Sequence, residues 1–328
     1  MLAGQPHILF TATFHSSFID EDIQILRKDF DVTVVVAKGW KAPILLIQSL
    51  FKADVTFSWF ASVYSSFLVF LAHLFGKKAV LVLGGVDVAK EKDLQYGIWN
   101  SWWKSPLIRY GITHASRVLA VDDFLKREAE RLAYYSGDNI VTVPTGYDAE
   151  FWKPSGNKEQ LVLTVASCPD MLRVKLKGID LFISIARKLP EIQFKIIGIS
   201  QNVALSLNIP KNVECVSFSH REKVRQSYQR AKVYCQLSYR EGLPNALCEA
   251  MLCECVPVGT TVGGIPTAIG DSGFLVDYLN EKQIVQAIRD GLGFSSELGK
   301  RARLRIASQF TLSQREQKLK EIIAELVQ

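Results

Sequence analysis

No cysteine occurs before residue 168, and the six that follow, Cys168, Cys215, Cys235, Cys248, Cys253 and Cys255, form no Cys-x-x-Cys pair. Their neighbours are largely apolar, so they read as small buried hydrophobes, and neither a disulfide framework nor a zinc site is expected. The first strand–helix turn, Thr11-Ala12-Thr13-Phe14-His15, lacks the Gly-x-Gly-x-x-Gly pattern. A dinucleotide redox cofactor is therefore not expected, and no other cofactor is. No RRM, KH, zinc-finger or helix-turn-helix signature appears, and the formal charge of +6 is a mild excess. That charge suits anionic small molecules or an anionic membrane surface and falls short of an argument for nucleic acid. Residues 1–6 carry no basic n-region, so no signal peptide is expected. The expected location is cytoplasmic, with peripheral contact at the inner membrane surface left open.

At 328 residues the chain is long enough for two domains with separate cores, and 48% apolar with 22% charged residues is a soluble, globular balance. Residues 57–75, FSWFASVYSSFLVFLAHLF, nearly reach the length of a transmembrane helix. They are flanked by strand-like segments on both sides, which makes them a strand and a buried crossover helix instead.

The first half alternates. Strands are expected at His7–Thr13, Asp31–Ala37, 54–57 and 79–83, with helices at Phe14–Lys28, 43–52 and 60–75 between them. Continuous apolar strands separated by helices of ten or more residues describe a parallel sheet covered on both faces, a Rossmann-like α/β domain. Ligand groups then belong on the loops at the strand carboxyl ends. The fourth strand runs into Leu83-Gly84-Gly85-Val86-Asp87, where two glycines permit a tight turn and Asp87 is expected to project at the open edge. A solvated turn aspartate is the plainer alternative. Residues 98–110 cluster Trp99, Trp102 and Trp103 with Lys104 and Arg109. Aromatic rings beside cations suit a membrane interface or an apolar acceptor, and equally a partly covered helix; Pro106 argues against a long regular one.

Pro144-Thr145-Gly146-Tyr147-Asp148 through Pro154 has the composition of a linker, after which the alternation restarts at Gln160–Ala166. In the turn that follows, Arg173, Lys175 and Lys177 precede an apolar helix, an arrangement suited to a diphosphate or to an ordinary basic loop. Residues 238–276 carry most of the chemistry. Glu241 and Glu249 stand eight apart around Gly242-Leu243-Pro244-Asn245. A helix is expected over Pro244–Cys253, with Pro244 in its first turn. Glu241 then lies in the preceding loop, about 12 Å from Glu249 along an ideal helical axis. Backbone N–H groups at that helix start can receive anionic oxygens, while the two carboxylates can bind sugar and ribose hydroxyls. The bland alternative is a strand–loop–helix joint with two solvated glutamates.

The whole stretch resembles the donor-site signature of retaining glycosyltransferases of family 4, with Glu-x7-Glu followed by Glu249-Ala250-Met251, Pro257-Val258, Gly263-Gly264-Ile265-Pro266 and Gly273-Phe274-Leu275-Val276. Three departures stand out. Cys253-Glu254-Cys255 replaces the Ala-x-Gly that often precedes Pro-Val. Gly84 stands where relatives often have histidine. Arg173 lies four residues before Lys177 rather than five.

The resemblance implies a GT-B fold, α/β with two Rossmann-like domains whose parallel sheets face a central cleft. The domains would be an acceptor domain at 1–150, a nucleotide-sugar donor domain at 151–310, and a helix at 311–328 packing back on the first. It implies that Lys177, Gly178 and Arg173 meet the donor diphosphate, that Glu241 positions the transferred sugar, and that Glu249 holds the ribose. Gly242, Leu243, Pro244 and Asn245 would complete the donor loop, Asp87 would face the acceptor, and His220 would lie near the base. The implied activity is metal-independent, retaining transfer from a nucleotide diphosphate sugar to a glycan, lipid-linked or small-molecule acceptor, with no nucleic-acid partner. A catalytically silent nucleotide-sugar-binding subunit is the alternative.

Overall fold

The computed structural model describes residues 5–294 and 296–327. The chain forms two compact units. One ends at Thr145 and resumes at Leu312; the other runs from Gly146 to Thr311.

In the first unit, β1 (His7–Ala12), α1 (Ser17–Leu26), β2 (Asp31–Val36), α2 (Ala42–Leu50), β3 (Val55–Trp59), α3 (Val63–Leu74) and β4 (Lys78–Leu83) come in strict alternation. After a short irregular stretch follow α4 (Lys104–His114), β5 (Arg117–Ala120), α5 (Asp123–Ala133) and β6 (Ile140–Thr142). The six strands are parallel in the order β2-β1-β3-β4-β5-β6. β3 and β4 are apolar and buried along nearly their whole length, as expected of strands covered by helices on both faces. The run 57–75 divides between β3 and α3, the latter started by a reciprocal Ser62–Ser65 capping box. Among the described residues no helix is long and apolar enough to cross a membrane. Pro106 does not prevent a regular helix: it is the third residue of α4, in the first turn, where an amide donor is not needed.

The C-terminal helix Leu312–Val327 belongs to this unit. Its Arg315 is almost wholly buried and forms a two-pronged ion pair with Asp22 of α1, both contacts at 2.6 Å. The same guanidinium donates to the carbonyls of Val143 and Pro144, and Trp59 Nε1 donates to Asp22 at 2.8 Å. A buried charge is tolerable only when paired and hydrogen-bonded in this way.

The second unit starts with β7 (Glu159–Cys168), α6 (Met171–Leu176), α7 (Ile179–Lys188), β8 (Gln193–Ile199), α8 (Gln201–Ser206), β9 (Val213–Val216) and α9 (Arg221–Arg230). It continues with β10 (Ala231–Gln236), α10 (Asn245–Leu252), β11 (Val256–Thr260), α11 (Ile265–Ile269), β12 (Phe274–Val276), α12 (Glu281–Gly293) and α13 (Glu297–Gln309). Its parallel sheet has the order β12-β11-β10-β7-β8-β9. Phe182 and Phe194 meet edge to face at 5.3 Å in a core shared with Val162, Ile196, Val233 and Ile288. Each such buried side chain stabilises the fold by roughly 1.5–3 kcal/mol. The chain leaves β7 towards β8 and β9, then returns to the other side of β7 to begin β10. The strand order therefore reverses between β7 and β10, the place where open α/β sheets leave a crevice at their carboxyl ends.

Candidate functional site

The two loops leaving β7 and β10 lie side by side at this reversal. The backbone N–H of Tyr239, after β10, donates to the carbonyl of Leu176 at 2.9 Å, which docks the loop after β10 on the end of α6. Gly178 makes the approach possible. It has φ +63°, and a Cβ there would sit 1.8 Å from the Leu237 carbonyl oxygen. Only glycine meets both conditions at low cost. Lys177, one residue earlier, is thereby delivered to Glu241: Nζ lies 2.6 Å from Oε1. Gln236 Nε2 and Ser238 Oγ donate to the same oxygen at 3.0 and 2.8 Å. Glu241 is thus fixed by three donors from the end of β10 and the turn after β7. Reading the sequence assigned no role to Gln236 or Ser238, although both sit within five residues of Glu241 and carry donors.

The sequence suggests Arg173, Lys175 and Lys177 together in the turn after β7. Arg173 and Lys175 instead occupy α6, a short helix with Asp170 as its N-cap, the carboxylate accepting from Arg173 N at 2.8 Å. Arg173 is half-buried and Lys175 exposed. Burial pushes the Cys168 thiol at the end of β7 up to about 11, while nearby Lys177 and Arg173 pull it down.

Pro244 is the residue just before α10 rather than inside its first turn, with φ −79° and ψ 107°. Its carbonyl accepts from Leu247 and Cys248 N–H, so it performs the capping role and the helix begins at Asn245. No side chain caps α10 or α7. Two helix starts with the partial positive charge of their N–H groups are thus left uncapped by side chains, α10 after β10 and α7 directly after Lys177-Gly178. Gly242 and Leu243 are buried in the loop, and the Gly242 carbonyl accepts from Gly264 N at 3.0 Å. Asn245 is half-buried and its Oδ1 accepts from the Tyr147 hydroxyl at 2.8 Å. Glu249, half-buried on α10, accepts from Tyr228 Oη at 3.4 Å. Burial and then the Glu249 charge push the Tyr228 phenol well above its ordinary value, so it remains a neutral donor. His220 is exposed at the start of α9.

The left-handed position after α10 falls on Glu254, φ +62°, not on Cys255, where the family glycine was aligned. Glu254 N donates to Met251 O and Cys255 N to Ala250 O, the two bonds of a Schellman ending.

Asp87 differs from its expected disposition. It does not project from the edge of the first unit: it is 1% exposed, and its carboxylate accepts from the N–H groups of Ala61, Gly84 and Gly85. Burial pushes its carboxyl upward, with those three N–H groups opposing. Gly84 is explained by its neighbour, since a Cβ there would lie 2.3 Å from the Phe60 ring. The chain also contains an Asp-x-Asp, Asp20-Glu21-Asp22, but Asp22 is committed to Arg315 and Trp59. Among the described residues no group of three or more His, Cys, Asp or Glu could hold a metal ion.

The architecture, two six-stranded parallel α/β units, is that of GT-B glycosyltransferases. The structure of Anabaena Alr3699/HepE in complex with UDP superimposes with a TM-score of 0.77 at 14% identity, covering 98% of this chain and 100% of that one. Residues 151–307, nearly the whole of the second unit, match the family described as Glycosyl transferases group 1. Two sequence relatives are 26% identical. One is the phosphatidylinositol N-acetylglucosaminyltransferase GPI3 subunit of Saccharomyces cerevisiae, matched over 53% of this chain and 42% of the relative. The other is N-acetyl-alpha-D-glucosaminyl L-malate synthase of Bacillus anthracis, over 62% and 58%. The aligned part thus spans about half the length of these relatives.

Proposed function

We propose that the chain transfers a sugar, with retention and without a metal, from a nucleotide diphosphate sugar to a glycan, lipid-linked or small-molecule acceptor. In this reading the donor is bound by the second unit and the acceptor by the first. The observation that carries it is the meeting of Lys177 and Glu241, brought about by Gly178, at the strand reversal of the family-matched unit. As the bond from the anomeric carbon to the phosphate oxygen breaks, its electron pair goes to the diphosphate. Lys177 and Arg173, with the N–H groups at the start of α10, stabilise that charge. The acceptor oxygen bonds the anomeric carbon on the same face, and its proton passes to the leaving phosphate. Glu241, fixed by Gln236 and Ser238, orients the sugar hydroxyls, and Glu249 takes the ribose. The UDP named for the Anabaena structure favours a uridine donor over a guanosine one.

A second reading, a nucleotide-sugar-binding subunit without turnover, draws support from the yeast relative, itself named as a subunit. Thermal shift with UDP, GDP and ADP and their sugars, beside Glu249→Ala, tests binding, because a ligand that binds the folded state raises Tm. One nucleotide series is expected to stabilise the wild type and to lose its effect in the variant. Release of free nucleotide on adding acceptor then separates a transferase from a silent binder.

A further inference from the structure

We infer that the helical layer α2–α3–α4 of the first unit is a docking surface for an anionic lipid bilayer, with a groove that takes a hydrocarbon chain. This goes beyond the transfer reading and does not depend on it. Between these helices lies a cavity of about 680 Å³ lined by Pro43, Val63, Phe67, Phe70, Leu107 and Tyr110 among others, with almost no polar wall. Around it the apolar surface continues outward: Ile44, Leu45, Phe70, Leu74 and Leu107 are all exposed. Trp40, next to the Gly39 whose carbonyl accepts from the groove residue Tyr64, is 80% exposed, and Trp102, just before α4, is 86% exposed. A contiguous apolar face of this kind marks an interaction site rather than ordinary surface.

Its charge decides the occupant. No aspartate or glutamate occurs in residues 32–53, 55–86 or 94–121, which contain all three helices, whereas Lys38, Lys41 and Lys52 flank α2 and α4 begins with Lys104. Lys41 lies over the ring of Trp40 at 5.3 Å and Lys104 over that of Trp103 at 5.2 Å. Tryptophan paired with lysine at the margin of an apolar face is the composition of a membrane–water interface, where the ring sits at headgroup depth and the ammonium meets lipid phosphate. A second copy of this chain would set two cationic faces against each other, and protein interfaces are depleted of lysine. With no helix able to span among the described residues, the contact is a peripheral one.

The fluorescence of the protein is suited to testing this. Trp40, Trp102 and Trp103 are exposed on this layer, and Trp59, Trp99 and Trp152 are buried. The full chain should float with phosphatidylcholine vesicles containing phosphatidylglycerol and should bind pure phosphatidylcholine at least ten-fold more weakly. Bromines placed on the lipid acyl chains should quench the exposed tryptophans. Trp102→Ala with Trp103→Ala should lower partitioning at least ten-fold at unchanged Tm, Phe70→Glu should do likewise, and Lys41→Glu with Lys104→Glu should remove the preference for the anionic lipid. Failure of the wild type to bind anionic vesicles at low salt, or to be quenched, overturns the inference. So does light scattering that shows a dimer which Trp102→Ala and Trp103→Ala convert to monomer.

Discussion

The two units use the same architecture and spend their acidic side chains in opposite ways. In the first, Asp22 and Asp87 are buried at 1% exposure each, one locked by Arg315 and Trp59, the other by three peptide N–H groups. In the second, at the sheet's reversal point, the Glu241 side chain is 9% exposed beside Lys177, itself 23% exposed, and Glu249 is half-buried against a neutral phenol. A carboxylate surrounded by fixed donors and no solvent serves the fold. One whose cation partner keeps an accessible side, next to a helix start, can serve a ligand. The difference lies in the surroundings, since the four residues are alike as titratable groups.

This contrast can be broken experimentally. The largest effect is expected at Arg315. Arg315→Met leaves Asp22 buried without its partner and should cost about 3–5 kcal/mol in urea unfolding, with Asp22→Leu in the same chain recovering most of it. Lys177→Ala should act in the other currency, activity. Loss of a leaving-group stabiliser should lower kcat by about 10²–10³-fold, with a smaller loss of stability than Arg315→Met because Gln236 and Ser238 still hold Glu241. A fall in stability matching the fall in rate would erase the distinction between the two units.

Asp87→Asn is expected to destabilise by about 1–3 kcal/mol, since an amide can present only one acceptor to peptide N–H groups that now reach two oxygens. Its pH dependence follows from the direction of the shift. Burial raises the folded-state value above the ordinary 3.8. The folded state therefore holds the proton more tightly than the unfolded one. The advantage of wild type over Asp87→Asn should be greatest below the ordinary value and shrink as pH rises through the folded one, measured as the difference between two unfolding curves. The smallest effect is at Glu254. Glu254→Gly relieves a left-handed non-glycine residue and should stabilise by about 0.5–1 kcal/mol, leaving kcat unchanged.

Asp87 shows how far the sequence could be read. Its Gly-Gly-x-Asp setting correctly marked a turn at the end of β4, but the direction of the carboxylate depended on Ala61, a residue 26 positions away. The second unit was more legible because its ligand-facing groups are local: Glu241, Gly242, Pro244 and Glu249 sit within nine residues, and the Lys177-Gly178 turn has its own signal. Even there the sequence suggests only a turn where α6 forms, since six residues give too little periodicity to distinguish a helix.

The sequence alone therefore determined the alternation of strands and helices, the parallel sheets and the candidate donor loop, because apolar periodicity and Gly–Pro punctuation act over short stretches of chain. Only the tertiary structure decided which acids were spent on the fold, that Gly178 closes against Leu237 to bring Lys177 to Glu241, and that the apolar residues of α2, α3 and α4 share one outward face. Those relations join residues tens to hundreds of positions apart, and local propensity carries no record of them.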